Sequence, residues 1–214
     1  MMNSFKSDTS AAFSNDDDRF DQVSITLHWL TVVLIIAQFS SIWLREAIDH
    51  QSALAASLLA VHRTSGIFSW FVVAARAAWR RWCAHLPPFP ASMPRIQQLA
   101  AMANEYSLYI LLLAMPITGL ARVVLRGQPF SLFIWHVPAL MQAEPEIRAL
   151  FAKAHDIGAT ALLVLIGLHA SAALLHRLIL HDNVMQRMLP QKLAPMKSVT
   201  ASGKRNKADL AKVS

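Results

Sequence analysis

Charge is scarce in this sequence. Charged residues make up 15% of the 214-residue chain, against about 25% in an ordinary soluble domain. The shortfall is uneven: long apolar stretches alternate with short charged ones, the pattern of a chain built for lipid. Cysteine is nearly absent. Cys83 stands alone, which excludes an internal disulfide and any C-x-x-C-H motif. The apolar stretches lack acid, Asp156 and, at one edge, Glu105 being the exceptions. Missing too is the basic start followed by an apolar run that marks a cleaved signal peptide. The first twenty or so residues are polar and include Asp16-Asp17-Asp18, so a retained, disordered cytoplasmic lead is expected over residues 1–22.

The length fits one ordinary domain. The net charge is +7, from 20 basic and 13 acidic residues. Much of that charge lies in one tail and one short loop beside apolar segments. We therefore read it as membrane anchoring and expect no nucleic acid partner.

Four segments reach the roughly 20 apolar residues that a bilayer core requires: Val23–Leu44, Ala53–Ala75, Tyr106–Leu125 and Ala152–Leu180. Each must satisfy its own backbone in lipid, so each is expected to be a helix. The expected fold is an all-α membrane protein, a four-transmembrane-helix bundle over residues 23–190, followed by a basic disordered cytoplasmic tail over 191–214. Pro87-Pro88-Phe89-Pro90 and Pro94 break the second link, and Gly127, Pro129, Pro138 and Pro145 break the third. Pro116 inside the third span predicts a kink. Arg76, Arg80, Arg81 and Arg95 around the second link, Lys6 and Arg19 before the first span, and the many basic residues from Arg177 to Lys212 outnumber Arg45, Arg126 and Arg148 in the other two links. The positive-inside rule then puts both termini in the cytoplasm.

The chain has nine histidines. An ionisable side chain inside a span is costly and usually turns to the protein interior for a functional reason. His28, His62, His155 and His169 fall in spans. His155 and His169 are fourteen residues apart, which places them on one face of a helix and about 21 Å apart along its axis. His62 lies near the outer end of its span, at the depth of His155. His28 is about 24 Å below the outer end of the first span, at nearly the depth of His169. Two pairs result, His62 with His155 and His28 with His169. Two neutral imidazoles fill both axial positions of a haem iron, which suits electron transfer rather than oxygen binding. Without C-x-x-C-H, any haem is held by non-covalent contacts and side-chain ligands. Gly66, Gly158 and Gly167, close in sequence to these histidines, permit close approach of flat groups or neighbouring helices. His176 shares the face of His169 but falls about 31 Å below His155 and precedes Arg177, so it is read as interfacial. His50, His85, His136 and His181 are expected in solvated links or the tail. Buried histidine also serves proton-relay transporters, whose spans usually carry Asp or Glu as well, so a haem-free transporter is a further alternative.

These residues resemble the bacterial cytochrome b561 family. The resemblance covers Val23 to Lys192. It is carried by Ser24-Ile25-Thr26-Leu27-His28-Trp29-Leu30, His62-Arg63-Thr64-Ser65-Gly66, Met115-Pro116-Ile117-Thr118-Gly119-Leu120, Arg126-Gly127-Gln128-Pro129-Phe130, His155-Asp156-Ile157-Gly158, Gly167-Leu168-His169-Ala170, Asp182-Asn183 and Arg187-Met188-Leu189-Pro190. It implies a multi-pass protein of the bacterial inner membrane. It also implies two haem b groups, the inner on His28 and His169, the outer on His62 and His155, and a quinone partner. Members closest in length and layout act as superoxide oxidases, taking an electron from superoxide on the outer side and passing it to ubiquinone. Others are cytochrome b subunits of hydrogenase or dehydrogenase complexes, with a protein electron donor. Where some relatives carry a histidine at the start of span three, this chain has Glu105 beside Tyr106, so span three offers no ligand.

Arg76 lies fourteen residues after His62, on the same face and about 21 Å deeper. Two roles stay open for it: pairing with an inner haem propionate, or anchoring the span at the headgroups. Arg63 and Lys153 lie near the outer pair and either draw in an anionic donor or neutralise propionates and anchor helix ends. Glu46, Asp49, Glu144 and Glu146 in the outer links argue against a strong positive funnel. The tryptophans lie mostly near span ends, as an aromatic belt does, and the basic tail suits contact with anionic lipid.

Overall fold

The computed structural model describes residues 19–89, 93–132, 135–179 and 185–189. The lead before residue 19, His181 and the tail from residue 190 onward lie outside the described residues.

Four long helices form the molecule: α1 (Gln22–Glu46), α2 (Ala53–Trp82), α3 (Arg95–Val124) and α4 (Pro145–Leu178). All four are long and apolar enough to cross a membrane. Three overshoot the expected spans. α2 continues seven residues past Ala75, α3 begins eleven before Tyr106 and α4 begins seven before Ala152. The apolar run reports only the part of a helix inside hydrocarbon. At about 1.5 Å per residue, the 34 residues of α4 exceed a hydrocarbon core of about 30 Å, and the surplus turns are polar.

Local chemistry sets the ends. Asp21 caps α1 by accepting from the Ser24 amide, and Ser52 caps α2 by accepting from the Ala55 amide. Pro145 opens α4 in its first turn, where its missing N–H costs nothing. Arg45, Arg80 and Arg81, Arg122, and His176 and Arg177 stand in the last turns of the four helices, where positive charge meets the negative end of the helix dipole. α3 continues as helix through Pro116.

α1 packs chiefly on α2 and α3 on α4, and an α2–α3 contact joins the two hairpins. The buried apolar core is small: Ile25, Ala55, Val72, Val73 and Leu162. Large apolar side chains such as Val33, Ile36, Phe71, Ile110 and Val164 point outward. Such a surface is stable only against an apolar solvent, which is what a lipid bilayer supplies.

The bundle has two ends. At the hairpin end lie the α1–α2 and α3–α4 links. The latter forms an antiparallel ribbon, β1 (Phe130–Leu132) with β2 (Trp135–Val137), pairing Phe130 with Val137 and Leu132 with Trp135. The turn residues pointed to a plain loop there. The ribbon is entered through Gly127 at φ 65°, where an added Cβ would stand 2.5 Å from the Ala143 nitrogen. At the terminal end, a short helix, α5 (Met185–Met188, of the 3-10 type), folds back against α4. The Phe20 amide donates to the Arg187 carbonyl, the Arg19 guanidinium to the Leu189 carbonyl at 2.6 Å, and the Trp29 indole to the Met188 carbonyl at 2.8 Å. Arg187 in turn donates to the Pro88 carbonyl, and the Trp79 indole to Asp21. The start of the chain, the second link and the residues after α4 are thus tied together.

Candidate cofactor site

The four span histidines come from three helices: His28 from α1, His62 from α2, and His155 and His169 from α4; the first three are half-buried and His169 is exposed. Their rings meet in two pairs. The His28 and His169 centroids are 6.2 Å apart with their planes at 57°, and those of His62 and His155 are 6.3 Å apart at 82°. Two metal–imidazole bonds of about 2 Å set ligating nitrogens about 4 Å apart. The ring centroids then lie one ring radius beyond each nitrogen, which is the separation found at both pairs. Among the described residues no group of three or more His, Cys, Asp or Glu gathers to hold a bare ion. A pair of imidazoles is what a macrocycle-held iron needs. Each pair also joins one helical hairpin to the other.

His62 and His155 line a cavity of about 850 Å³ at the hairpin end, within the range of ligand and cofactor pockets. Its apolar wall includes Ile35, Phe39, Leu112, Phe130 and Leu132, so the β ribbon contributes to it. Gly119 faces His155: an added Cβ would stand 3.1 Å from the imidazole Cε1. Gly66 lines the same cavity. Gly158 serves helix packing instead, since a Cβ there would meet Met115 Sδ at 2.7 Å, and a Cβ on Gly167 would meet nothing within 4 Å.

Five arginines, from all four helices and the α3–α4 link, converge on this cavity: Arg45, Arg63, Arg122, Arg126 and Arg148. Arg45 pairs with Glu46 at 3.1 Å and Arg122 with Asp156 at 3.2 Å. Arg63, Arg126 and Arg148 form no ion pair among the described residues. Arg45, Arg63 and Arg148 each keep a buried Nε without a partner. Buried guanidinium donors left over in this way call for carboxylates, and a haem brings two propionates. The residues therefore fit a haem, in axial ligands, in room and in counter-charge. Sequence reasoning placed only Arg63 and Lys153 here, and counted link acids against a positive site. Lys153 is exposed and sits outside this cavity. Apart from Arg122 and Arg126, four residues apart, no short spacing relates the five arginines, so the fold assembles them.

The imidazoles of this pair are held from behind. His62 Nδ1–H donates to the Gln38 carbonyl at 3.2 Å. His155 Nδ1 meets the Thr118 hydroxyl at 3.1 Å, and that hydroxyl donates to the Met115 carbonyl at 2.9 Å. Both contacts leave Nε2 for a metal.

The terminal-end pair differs. His28 Nδ1 is buried without a partner. Arg76, half-buried, stacks over the Tyr109 ring with its guanidinium carbon 5.4 Å from the centroid, and Arg80 pairs with Glu105 at 2.8 Å. Glu105, which replaces a ligand-type residue in the resemblance, is thus the counter-charge of α2. His176 is buried, with 8% exposure, on the end of α4 against which α5 folds. His50, His85 and His136 are exposed, as expected.

Comparison with known proteins bears on the family. The model of the family "Prokaryotic cytochrome b561" matches residues 19–191. "Cytochrome b561 homolog 1" of Escherichia coli (strain K12) is 30% identical over 175 residues, covering 82% of this chain and 99% of that one. "Cytochrome b561 homolog 2" of the same organism is 30% identical over 181 residues, 83% and 95% of the two chains. "Probable superoxide oxidase CybB" of Yersinia pestis is 30% identical over 174 residues, 81% and 97%.

Proposed function

The chain belongs to the prokaryotic cytochrome b561 family, and from that premise we propose that it is a diheme cytochrome carrying electrons across the bacterial inner membrane from superoxide to ubiquinone. Membership makes it a multi-pass membrane electron-transfer protein with b-type haem. The finer assignments are ours. His62 and His155 hold one haem at the hairpin end, and His28 and His169 hold the second at the terminal end, with Arg76 beside it as partner for a propionate. The two imidazole pairs, at matching separation and two depths, carry this reading. Bound haem supplies one-electron chemistry between ferric and ferrous iron.

The chain's own residues define what enters. Two propionates there would join the acids Glu46 and Asp156 in offsetting four of the five arginine charges, which would leave the hairpin-end cavity net positive. Positive potential in an apolar-walled cleft concentrates a small anion. Superoxide is such an anion, and it leaves as neutral dioxygen after giving up its electron, so the cavity does not retain the product. Two superoxide ions and two protons balance the reduction of one ubiquinone to ubiquinol. The relative named a probable superoxide oxidase supports this donor. By the positive-inside rule the hairpin end faces outward and both termini face the cytoplasm.

A superoxide pulse on purified, ubiquinone-loaded protein tests the reading. The expected result is rapid appearance of a reduced α-band, followed by its decay as ubiquinol forms. A reduced band with dithionite but none with superoxide would leave a cytochrome with another donor. No band with either would end the haem assignment.

A further inference from the structure

α3 supplies no histidine ligand, yet its Met115–Gly119 segment lies against one. We propose that Thr118 is a positioning residue that holds the His155 ring and lowers the reduction potential of the hairpin-end haem. The inference rests on the ligation proposed above.

The geometry has three parts. Gly119 clears the edge of the imidazole: a single methyl there would press on Cε1 from 3.1 Å. The ring can therefore lie close along α3. Thr118, one residue earlier, then fixes its rotation. Its hydroxyl proton goes to the Met115 carbonyl at 2.9 Å, so toward His155 Nδ1, 3.1 Å away, the oxygen presents a lone pair. That oxygen accepts the Nδ1 proton and sets the tautomer whose free nitrogen is Nε2. Thr118 is itself held by backbone on its own helix and does not depend on solvent.

The consequence is electronic. A hydrogen bond from Nδ1–H to an oxygen moves electron density onto the imidazole and makes it a stronger donor through Nε2. A stronger donor stabilises ferric iron more than ferrous, because the ferric ion carries one more positive charge. Uptake of one electron therefore becomes harder at this haem. His62 has the same support from the Gln38 carbonyl, but a backbone carbonyl cannot be removed by substitution. Thr118 is the part of this arrangement that a single side chain controls. At the terminal end His28 Nδ1 has no such partner.

The test is a mediated redox titration of the intact holoprotein, reading the two haems by their α-bands, with low-spin ferric resonances as a second readout. In Thr118→Val the hairpin-end haem should become easier to reduce, with a roughly three- to tenfold rise in its ferrous-to-ferric ratio at fixed potential, the scale of one net hydrogen bond. The other haem should not move. Thr118→Ser should restore the wild-type value. Thr31→Val removes a buried hydroxyl that donates only to the Leu27 carbonyl on its own helix, and should leave both haems unchanged. Loss of the hairpin-end haem in Thr118→Val with retention in Thr118→Ser would equally support the role. Full haem with unmoved potentials in Thr118→Val, or the same change in the Val and Ser variants, would overturn it. If the wild-type protein bound no haem, the ligation reading itself would fall.

Discussion

The two ends of the bundle hold similar histidine pairs in different surroundings. At the hairpin end both rings have hydrogen-bond partners on Nδ1, and five arginines line one cavity. At the terminal end His28 has no such partner, and the nearby cations are matched by Tyr109 and Glu105. The hairpin end is an arginine-lined mouth over a hydrogen-bonded pair. The terminal end carries one ion pair and one cation over a ring, beside hydrogen bonds that tie the residues before α1 to those after α4. The histidine pairs are alike in ring separation, and the residues behind and around them make the two ends unequal.

Removing a ligand breaks the comparison outright. His62→Ala or His155→Ala should lose about half of the bound haem and the hairpin-end band, since bis-imidazole iron needs both axial ligands. His28→Ala or His169→Ala should lose the other half. Pyridine haemochrome per chain, with the α-band shape, checks which half goes. Retention of both haems in all four variants would overturn the pairing.

A smaller effect sharpens the electrostatic contrast. Arg63→Gln should slow reduction by superoxide a few-fold and flatten its dependence on ionic strength, because the rate is steered by potential at the mouth. Arg81→Gln at the opposite end should change neither. Stopped-flow reduction at several salt concentrations reads both. Equal slowing by the two variants would mean that general net charge is at work and not the cavity.

The smallest expected effect concerns the terminal-end ties. Asp21 is the N-cap of α1 and also accepts from the Trp79 indole of α2. Burial raises its pKa, but hydrogen bonds from the Ser24 amide and hydroxyl and from Trp79 outweigh that and hold it below the ordinary 3.8. The folded value lies below the unfolded one, so the stabilisation is complete above about pH 4 and fades as pH falls through the folded value. Asp21→Ala should cost about 1 kcal/mol, read as a lower midpoint of thermal unfolding in detergent. The difference from wild type should shrink in acid. A constant difference across that window would remove the charge from the account.

The four spans and both histidine pairs were legible in the sequence for one reason. A helix in lipid has few degrees of freedom, so a residue's number fixes its depth and its face. His28 and His169, or His62 and His155, could be matched without knowing how the helices pack. The arginine cavity was not legible. Arg45, Arg63, Arg122, Arg126 and Arg148 come from every helix and one link, and only Arg122 and Arg126 are near in sequence. The partners Gln38 and Thr118 depend on helix rotation, which depth does not supply. The β ribbon was closer to view: Phe130-Ser131-Leu132 and Trp135-His136-Val137 are rich in the β-branched and aromatic residues that favour strands, but the surrounding prolines and glycine read as loop. The burial of His176 was not legible either, because depth does not tell what folds back over a helix end.

The clasp between Arg19 and Leu189 spans a separation of 170 residues. In time, that distance is a schedule. At about 5–20 residues per second a ribosome needs on the order of ten seconds or more to cover it. His62 receives its partner from His155 first, His28 waits longer for His169, and the clasp forms last of all. The hairpin-end site can thus be complete while the terminal-end ties are still missing. A nascent chain that stops between residues 170 and 184 would carry all four histidines and lack α5 and the clasp.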